Sequence, residues 1–295
     1  MTELPAGTDT FRLVDGADYT VDVFGAVAIV SLYRPFSSLD ERKLAQQLAT
    51  SAKVRSVYLK RRPRQAHGKA SQSPEQVAPP APLWGEPIEA IEILEGGTRF
   101  EIRPGNGLSV GLYLDARDAR AWVRAHATGR TVLNLFAYTC GFGISALRGG
   151  ATRAVNVDLS RKVLDWGEKN TRLNGFEPVR RDFIAGDCFE WLARFAKKGE
   201  RFDLVVVDPP SFSNTGGQRF RAETDYAQLA GLARQVVAPG GTLLCSCNLE
   251  TLGAAQFEHQ VMQGTGGKLK VVARFGASAV DFAQPSALKV VALET

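Results

Sequence analysis

Short β-branched apolar runs and stretches of helical spacing alternate along most of this 295-residue chain. From residue 115 the order is regular. A helix is predicted at 116–127, a strand at 131–136, a helix opening at 144–148 and a strand at 154–157. Helix 161–174, strand 183–185, helix 188–197 and strand 204–207 follow, then helix 224–237, strand 242–247 and helix 252–263. Strands at 269–275 and 287–293 close the chain with little between them, so one of the two is expected to be an antiparallel edge strand. Alternation of this kind predicts an α/β domain built on a doubly wound, mostly parallel sheet. The run LVVV at 204–207 has no polar position, as a parallel strand covered on both faces requires.

The amino-terminal third is patterned differently. Residues 11–35 read as two or three strands, separated by the Asp15-Gly16 turn and the Phe24-Gly25 break. Helical spacing at Leu44 and Leu48 predicts a helix over 39–52, with Ser38 or Asp40 available as N-cap. A strand is predicted at 54–60, and a strand pair at 88–95 and 98–103 around Gly96-Gly97. Between them, 61–87 is rich in Pro, Ser, Ala and Gln and reads as an exposed, mobile linker. The pattern predicts a small α+β domain over 1–108 ahead of a larger domain over 109–295.

Composition narrows the function classes. A hydrophobic fraction of 44% with 23% charged residues is ordinary for a globular protein. No run of about 18 apolar residues occurs, which excludes a transmembrane helix of usual length. The opening MTELPAGTDT lacks a basic segment followed by an apolar one, so no secretion signal is expected. Cys140, Cys188, Cys245 and Cys247 show no framework spacing and lie in or beside apolar stretches, which predicts reduced thiols and a cytoplasmic location. His67, His126 and His259 are scattered, and no Cys/His cluster has metal-ligand spacing, so no metal is expected. Net charge +5 is compatible with a nucleic-acid partner without requiring one. Its distribution is more informative. Lys53, Arg55, Lys60, Arg61, Arg62, Arg64 and Lys69 crowd one stretch with no acid among them. That stretch reads either as a solvated linker or as a phosphate-contacting surface. Nothing in the pattern reports the oligomeric state.

The candidate chemistry lies at predicted strand ends. In VLNLFAYTCGFGISAL, residues 132–147, a buried strand runs into Gly141 and Gly143 and then a helix. That is the layout of a nucleotide-type turn, although the spacing is not GxGxxG. Asp158 ends the next strand, where an acid can accept two hydrogen bonds from ribose hydroxyls. Asp187, in Gly186-Asp187-Cys188, follows the third strand and can reach an adenine amino group. Each acid alone is equally a helix cap. Taken in order, the three features describe an adenosine pocket without a dinucleotide signature, which points to S-adenosylmethionine.

Two further strand ends follow. In DLVVVDPPSF the prolines cannot continue a ladder, so the strand must stop at Asp208. Ligands of open α/β sheets sit beyond the carboxyl ends of strands. Asp208, Pro209 and Phe212 are therefore a candidate pocket edge; the alternative is a capped strand end with an inward-packed loop aromatic. LLCSCN ends the following strand, and Cys247 is expected to open towards the same pocket as Asp208. It reads either as an inert buried thiol or as a nucleophile that adds to carbon 6 of a pyrimidine and activates carbon 5.

Together, GLYLDARDAR (111–120), LNLFAYTCGFG, DPPSF and SCN resemble class I S-adenosylmethionine-dependent methyltransferases of large-subunit ribosomal RNA, which include cytosine-C5 and guanine-N7 enzymes. The resemblance runs from about residue 88 to 248, and extends less closely to the chain end and into the small amino-terminal unit. It implies a Rossmann-like sheet, mostly parallel with one antiparallel strand near the C-terminus, preceded by a small α+β domain that is a candidate RNA-binding unit. Many members carry a further PUA domain, for which this chain has no room. Carried onto this sequence, Phe136, Tyr138, Thr139, Gly141 and Gly143 would wrap the methionine part of the donor. Asp158 would bind the ribose, Ser160 would cap the next helix, and Asp187 with Cys188 would face the adenine. Arg117 would approach the donor carboxylate. Asp208, Pro209 and Phe212 would hold the target base, by hydrogen bonding and stacking. Cys247 falls at the cysteine of the cytosine-C5 members, which the guanine-N7 members lack.

Three motifs depart from the family. Its Thr-Gly-Gly turn is Thr139-Cys140-Gly141 here, which puts a side chain where backbone freedom is wanted. Ser-Cys-Ser is Ser246-Cys247-Asn248, and a late Asp-His-Pro is Asp281-Phe282-Ala283. The resemblance implies methyl transfer from S-adenosylmethionine to a base of RNA, with cytosine C5 of ribosomal RNA first. Methylation of a guanine or adenine nitrogen comes second. Third is a non-catalytic RNA-binding protein with a vestigial donor pocket.

Overall fold

A computed structural model describes residues 3–62, 73–215, 218–283 and 286–295. Arg64, His67 and Lys69 lie outside the described residues, as does the 63–72 portion of the expected linker. Two compact units are present: Met1–Leu114 with Ala279–Gln284, and Asp115–Ser278 with Pro285–Thr295. The sequence pattern places 279–284 with the larger unit, but its contacts lie with the smaller one. Asp281 Oδ1 accepts the Arg12 backbone N–H at 3.1 Å, and the Arg12 guanidinium lies 4.3 Å above the Phe282 ring.

The first unit contains β1 (Thr10–Asp15), β2 (Tyr19–Phe24), β3 (Val27–Leu32), α1 (Ser38–Ser51), β4 (Ser56–Arg61), α2 (Pro74–Val77), β5 (Trp84–Gly85), β6 (Ile91–Glu95) and β7 (Thr98–Ile102). Strands β1 to β5 form one sheet in sequence order, and β6–β7 are a hairpin. Only β3 and β4 pair in parallel, across the α1 crossover. Val21, Val30, Val57 and Leu59 of the sheet pack with Ala45 and Leu48 of α1. Neither expected residue caps α1. Ser37 does, its Oγ accepting from Asp40 N at 3.2 Å.

The described part of 61–87 is not an open linker. Arg61 ends β4, Ser73 and Gln76 form a capping box on α2, and Trp84–Gly85 pairs with Ser56 and Val57. These backbone bonds are invisible in a Pro/Ser/Ala composition. The basic stretch is also more structural than either sequence reading allowed. Ser56, Tyr58 and Lys60 alternate along β4 and each anchors returning backbone. Ser56 Oγ donates to Glu86 O, the Tyr58 hydroxyl accepts from Ile88 N at 2.7 Å, and Lys60 Nζ donates to Pro104 O at 2.8 Å. Arg61 donates to both carboxylate oxygens of Glu41, and Arg62 donates to Leu108 O. Lys53 and Arg55 remain on the surface.

Lys60 is fully buried, and burial, with Arg62 nearby, pulls its ammonium down from 10.5 to about 8. The unfolded chain then holds that proton more tightly than the fold does. Stability contributed by this group therefore rises as pH increases from about 8 towards 10.5. Urea unfolding of the wild type at pH 7.5 and pH 10 is expected to show a gain of about 2 kcal/mol over a Lys60→Met variant across that interval. Parallel pH profiles for the two proteins would remove the argument.

The second unit contains α3 (Arg117–Ala125), β8 (Thr131–Leu135), α4 (Gly141–Arg148), β9 (Arg153–Asp158), α5 (Arg161–Leu173), β10 (Phe183–Ala185), α6 (Cys188–Lys197) and β11 (Phe202–Val207). It continues with β12 (Phe212–Thr215), β13 (Gln218–Arg221), α7 (Ala222–Arg234), β14 (Val237–Cys247), α8 (Ala254–Gly264), β15 (Lys270–Phe275) and β16 (Lys289–Glu294). The seven-stranded sheet runs β10-β9-β8-β11-β14-β16-β15, and β12–β13 form a separate hairpin. This is the Rossmann-like architecture expected. The antiparallel strand is β16, which pairs antiparallel to both β14 and β15. It is interior rather than an edge, in keeping with its four consecutive buried residues; β15, half-exposed in alternation, takes the edge.

Alternation along the strands divides the core. Leu133, Val205, Val207, Leu243, Cys245 and Cys247 face α6, α7 and α8, while Val132, Leu204, Val206 and Leu244 face α3 and α4. The chain leaves β8 outward to β9 and β10, then returns to β11 on the other side of β8. The topological switch point lies between β8 and β11, where such sheets open a crevice. Among the described residues no helix is long and apolar enough to cross a membrane.

Candidate active site

Between β8 and α4 the backbone turns through an unusual path. Phe136, Tyr138 and Cys140 have φ of 56°, 48° and 65°, the left-handed region that side chains resist. Strain of this kind persists only where the surroundings hold it. Here Phe136 N donates to Cys188 Sγ at 3.3 Å, Ala137 N to Val157 O at 3.0 Å, and Tyr138 N to Asp158 Oδ2 at 2.9 Å. The loop is thus pinned to the end of β9, and the amino end of α4 is presented at the strand ends.

Asp158 closes β9, and its Oδ1 accepts Ser160 N at 2.9 Å. Each oxygen holds one backbone amide and keeps a lone pair for a hydroxyl. Ser160 occupies the N-cap of α5, but its side chain makes no cap bond. Asp187 caps α6: its Oδ1 takes Phe189 N at 2.8 Å and Glu190 N at 3.2 Å, leaving Oδ2 without a hydrogen bond among the described residues. Cys188 does not present its thiol outward. It is 2% exposed, lies 3.6 Å from Val157 O, and burial pushes the thiol up.

Thr139 and Gly143 are buried as well. A Cβ at Gly143 would run into Asn156 Oδ1, so this glycine lets α4 lie directly on β9. Cys140 fills the corresponding space over Gly167 of α5, whose own Cβ would strike the sulfur. Arg117 is buried at the start of α3. Phe136, Phe189 and Phe220 form an aromatic row, with centroids 6.4 and 5.7 Å apart, that joins the β8 loop to the β12–β13 hairpin. The sequence pattern predicts no strand at this hairpin. Phe189 and Phe220 carried no signal beyond being apolar.

Asp208 follows β11. Burial pushes its carboxyl up to about 6, with Asp115 adding to the shift and Ser246 and Arg120 opposing it. Ser246 Oγ donates to Asp208 Oδ1, and Ser211 Oγ donates to Asn248 Oδ1 at 2.9 Å. The Tyr226 hydroxyl of α7 reaches Ser246 O at 2.7 Å and Val207 O at 3.1 Å. Pro209 is buried, and Phe212, which opens β12, is 51% exposed. Cys247 is 1% exposed, and burial raises its thiol. It lies with Cys245 in the core facing α7 and α8, while its neighbour Ser246 bonds Asp208. Cys247 and Asp208 end adjacent strands, and the Asp208 charge adds to the rise of the Cys247 thiol.

The donor set fits a cationic nucleoside better than a nucleotide. Two carboxylates end or follow adjacent strands, positioned for a diol and an amino group, and residues 136–143 carry no basic side chain to meet a phosphate. Among the described residues no group of three or more His, Cys, Asp or Glu could hold a metal ion.

A family model of S-adenosylmethionine-dependent methyltransferases matches residues 14–287. The chain is 44% identical over 168 residues to ribosomal RNA large subunit methyltransferase I of Aeromonas salmonicida, covering 56% of this chain and 42% of that protein. It is 35% identical over 258 residues to ribosomal RNA large subunit methyltransferase K/L of Chromohalobacter salexigens, covering 82% and 34%. The matches thus span less than half the length of these curated relatives. Among solved structures, a protein assigned as a methyltransferase and complexed with SAH superposes with a TM-score of 0.86 at 24% identity, over 98% of this chain and 76% of that one. The SAM-dependent methyltransferase from Agrobacterium tumefaciens gives 0.71 at 18% identity, over 99% and 92%. These two likenesses establish the fold.

Proposed function

The chain belongs to the S-adenosylmethionine-dependent methyltransferase family, and from that premise we propose that it methylates a base of RNA, with cytosine C5 of ribosomal RNA as the target. The observation that carries this reading is the placement of two groups on either side of the switch point. Acids suited to a nucleoside donor end the β8–β9–β10 side, and Asp208 with the exposed Phe212 ends β11. The names of the curated relatives support RNA as the class of substrate.

In this reading the donor supplies an electrophilic methyl group. Asp158 would hold the ribose hydroxyls, and Asp187 Oδ2 would accept a hydrogen bond from the adenine amino group. Asp208 accepts a hydrogen bond from the target base, and Phe212 stacks on its face. For carbon 5 to become nucleophilic, Cys247, its proton passed to solvent, adds as thiolate to carbon 6 and pushes the C5–C6 electron pair onto carbon 5. Carbon 5 then takes the methyl, a base removes the carbon-5 proton, and the thiolate leaves. Burial raises the Cys247 thiol; the Leu249 backbone and the charge of Lys289, its cross-strand partner, oppose that rise.

One observation favours a second reading. Cys247 is buried and its thiol is raised by that burial, which suits methylation of a guanine or adenine nitrogen with the sulfur as packing. Cys247→Ala separates the two. Under the C5 reading, incorporation of labelled methyl into RNA is expected to fall about 1,000-fold or more. Activity within about 3-fold of wild type, with a methylated purine found by mass spectrometry, would select the nitrogen reading instead.

A further inference from the structure

The two residues beside Cys247 face the loop that follows β11, and each has a side-chain partner there. Ser246 Oγ donates to Asp208 Oδ1; two positions on, Asn248 Oδ1 accepts from Ser211 Oγ at 2.9 Å. Ser246 is 1% exposed, so its hydroxyl proton is directed by the protein rather than by water. Its other acceptor within reach, Val207 O, is more distant at 3.5 Å. The Tyr226 hydroxyl fixes the Ser246 carbonyl from α7. Asp208 Oδ2, by contrast, has no hydrogen bond among the described residues.

We propose that Ser246 is a positioning residue for methyl transfer: by holding Oδ1 it fixes the Asp208 carboxylate in one orientation and reserves Oδ2 for the target base. This deepens the RNA-base reading above and rests on it for the identity of the ligand, though not for the clamp itself. A hydrogen bond to the ionised carboxylate favours that form over the protonated one. The clamp therefore also keeps Asp208 available as an acceptor in neutral solution, against the burial and the Asp115 charge that oppose ionisation. The other titratable or charged groups that sense Asp208 are Arg120 of α3, Tyr226 of α7 and Cys247 of β14. Among the described residues, Ser246 rather than any of these groups makes the side-chain hydrogen bond to the carboxylate.

The test compares wild type, Ser246→Ala and Ser246→Thr by two readouts. Methyl transfer from labelled donor to total RNA is followed from pH 5 to 9. The carboxyl carbon of Asp208 is titrated by NMR in the free protein. Ser246→Ala is expected to lower kcat about 10-fold at neutral pH and to move the ascending limb up by about one pH unit, with donor KM unchanged. Ser246→Thr keeps the hydroxyl and should hold the limb in place. The NMR midpoint should move up likewise in Ser246→Ala. An unmoved carboxyl titration in Ser246→Ala overturns the proposal, whatever happens to activity. A shifted titration in a protein inactive on RNA leaves the clamp standing and refutes the RNA reading instead.

Discussion

Replacing Asp158 with Ala is expected to weaken donor binding by about 100-fold, the loss of two charge-assisted hydrogen bonds to ribose hydroxyls. The same carboxylate holds Tyr138 N and Ser160 N, each at 2.9 Å, so the variant should also lose about 2 kcal/mol of stability. Tyr138 is one of three left-handed residues in the loop, and its backbone has little reason to keep that conformation once the anchor is gone. Asp158→Asn keeps the shape and one acceptor oxygen, and should fall between the two. Calorimetry with S-adenosylmethionine and a thermal melt read the two effects separately. Donor affinity unchanged in Asp158→Ala would place the ribose elsewhere.

The second large effect concerns the sulfur that sits over α5. A Cβ at Gly167 would strike Cys140 Sγ and come within 2.9 Å of Cys140 Cβ, so Gly167→Ala should cost about 3 kcal/mol. Cys140→Gly alone should be nearly neutral. It relieves about 1 kcal/mol of left-handed strain at φ 65° and loses a similar amount of packing. In the double variant the alanine methyl occupies the vacated space, and alanine also suits a helix interior better than glycine. The cycle is therefore expected to show about 2 kcal/mol or more of favourable coupling by denaturant unfolding. Additive single effects would mean that the loop and helix yield independently.

These two sites show what the sequence could and could not reveal. The alternation after residue 115 made the parallel sheet legible, because buried strands must be continuous apolar runs while their crossovers keep helical spacing. Asp158, Asp187 and Asp208 were legible for a related reason: an acid after such a run has few places to be but a strand end. What escaped depended on partners distant in sequence. Cys140 was visible as a departure from a glycine turn, but its counterpart Gly167 lies 27 residues away and reads only as a helix glycine. The β12–β13 hairpin was hidden because its residues lack alternation, and Phe220 is anchored by the aromatic row instead. The basic stretch read as a solvated linker or a phosphate-contacting surface, whereas Lys60, Arg61 and Arg62 hold backbone and Glu41. Cys247 was legible as the end of its strand, but its near-complete burial was not, because the covering side chains come from α7 and α8.

The central claim is methyl transfer from S-adenosylmethionine to an RNA base. It is tested most directly by incubating the purified protein with labelled donor and total RNA from a strain lacking its gene, then digesting the RNA and identifying the labelled nucleoside. Label in a single methylated base, 5-methylcytidine on the leading reading, is the predicted result. Saturable donor binding with no label in any RNA base would contradict it.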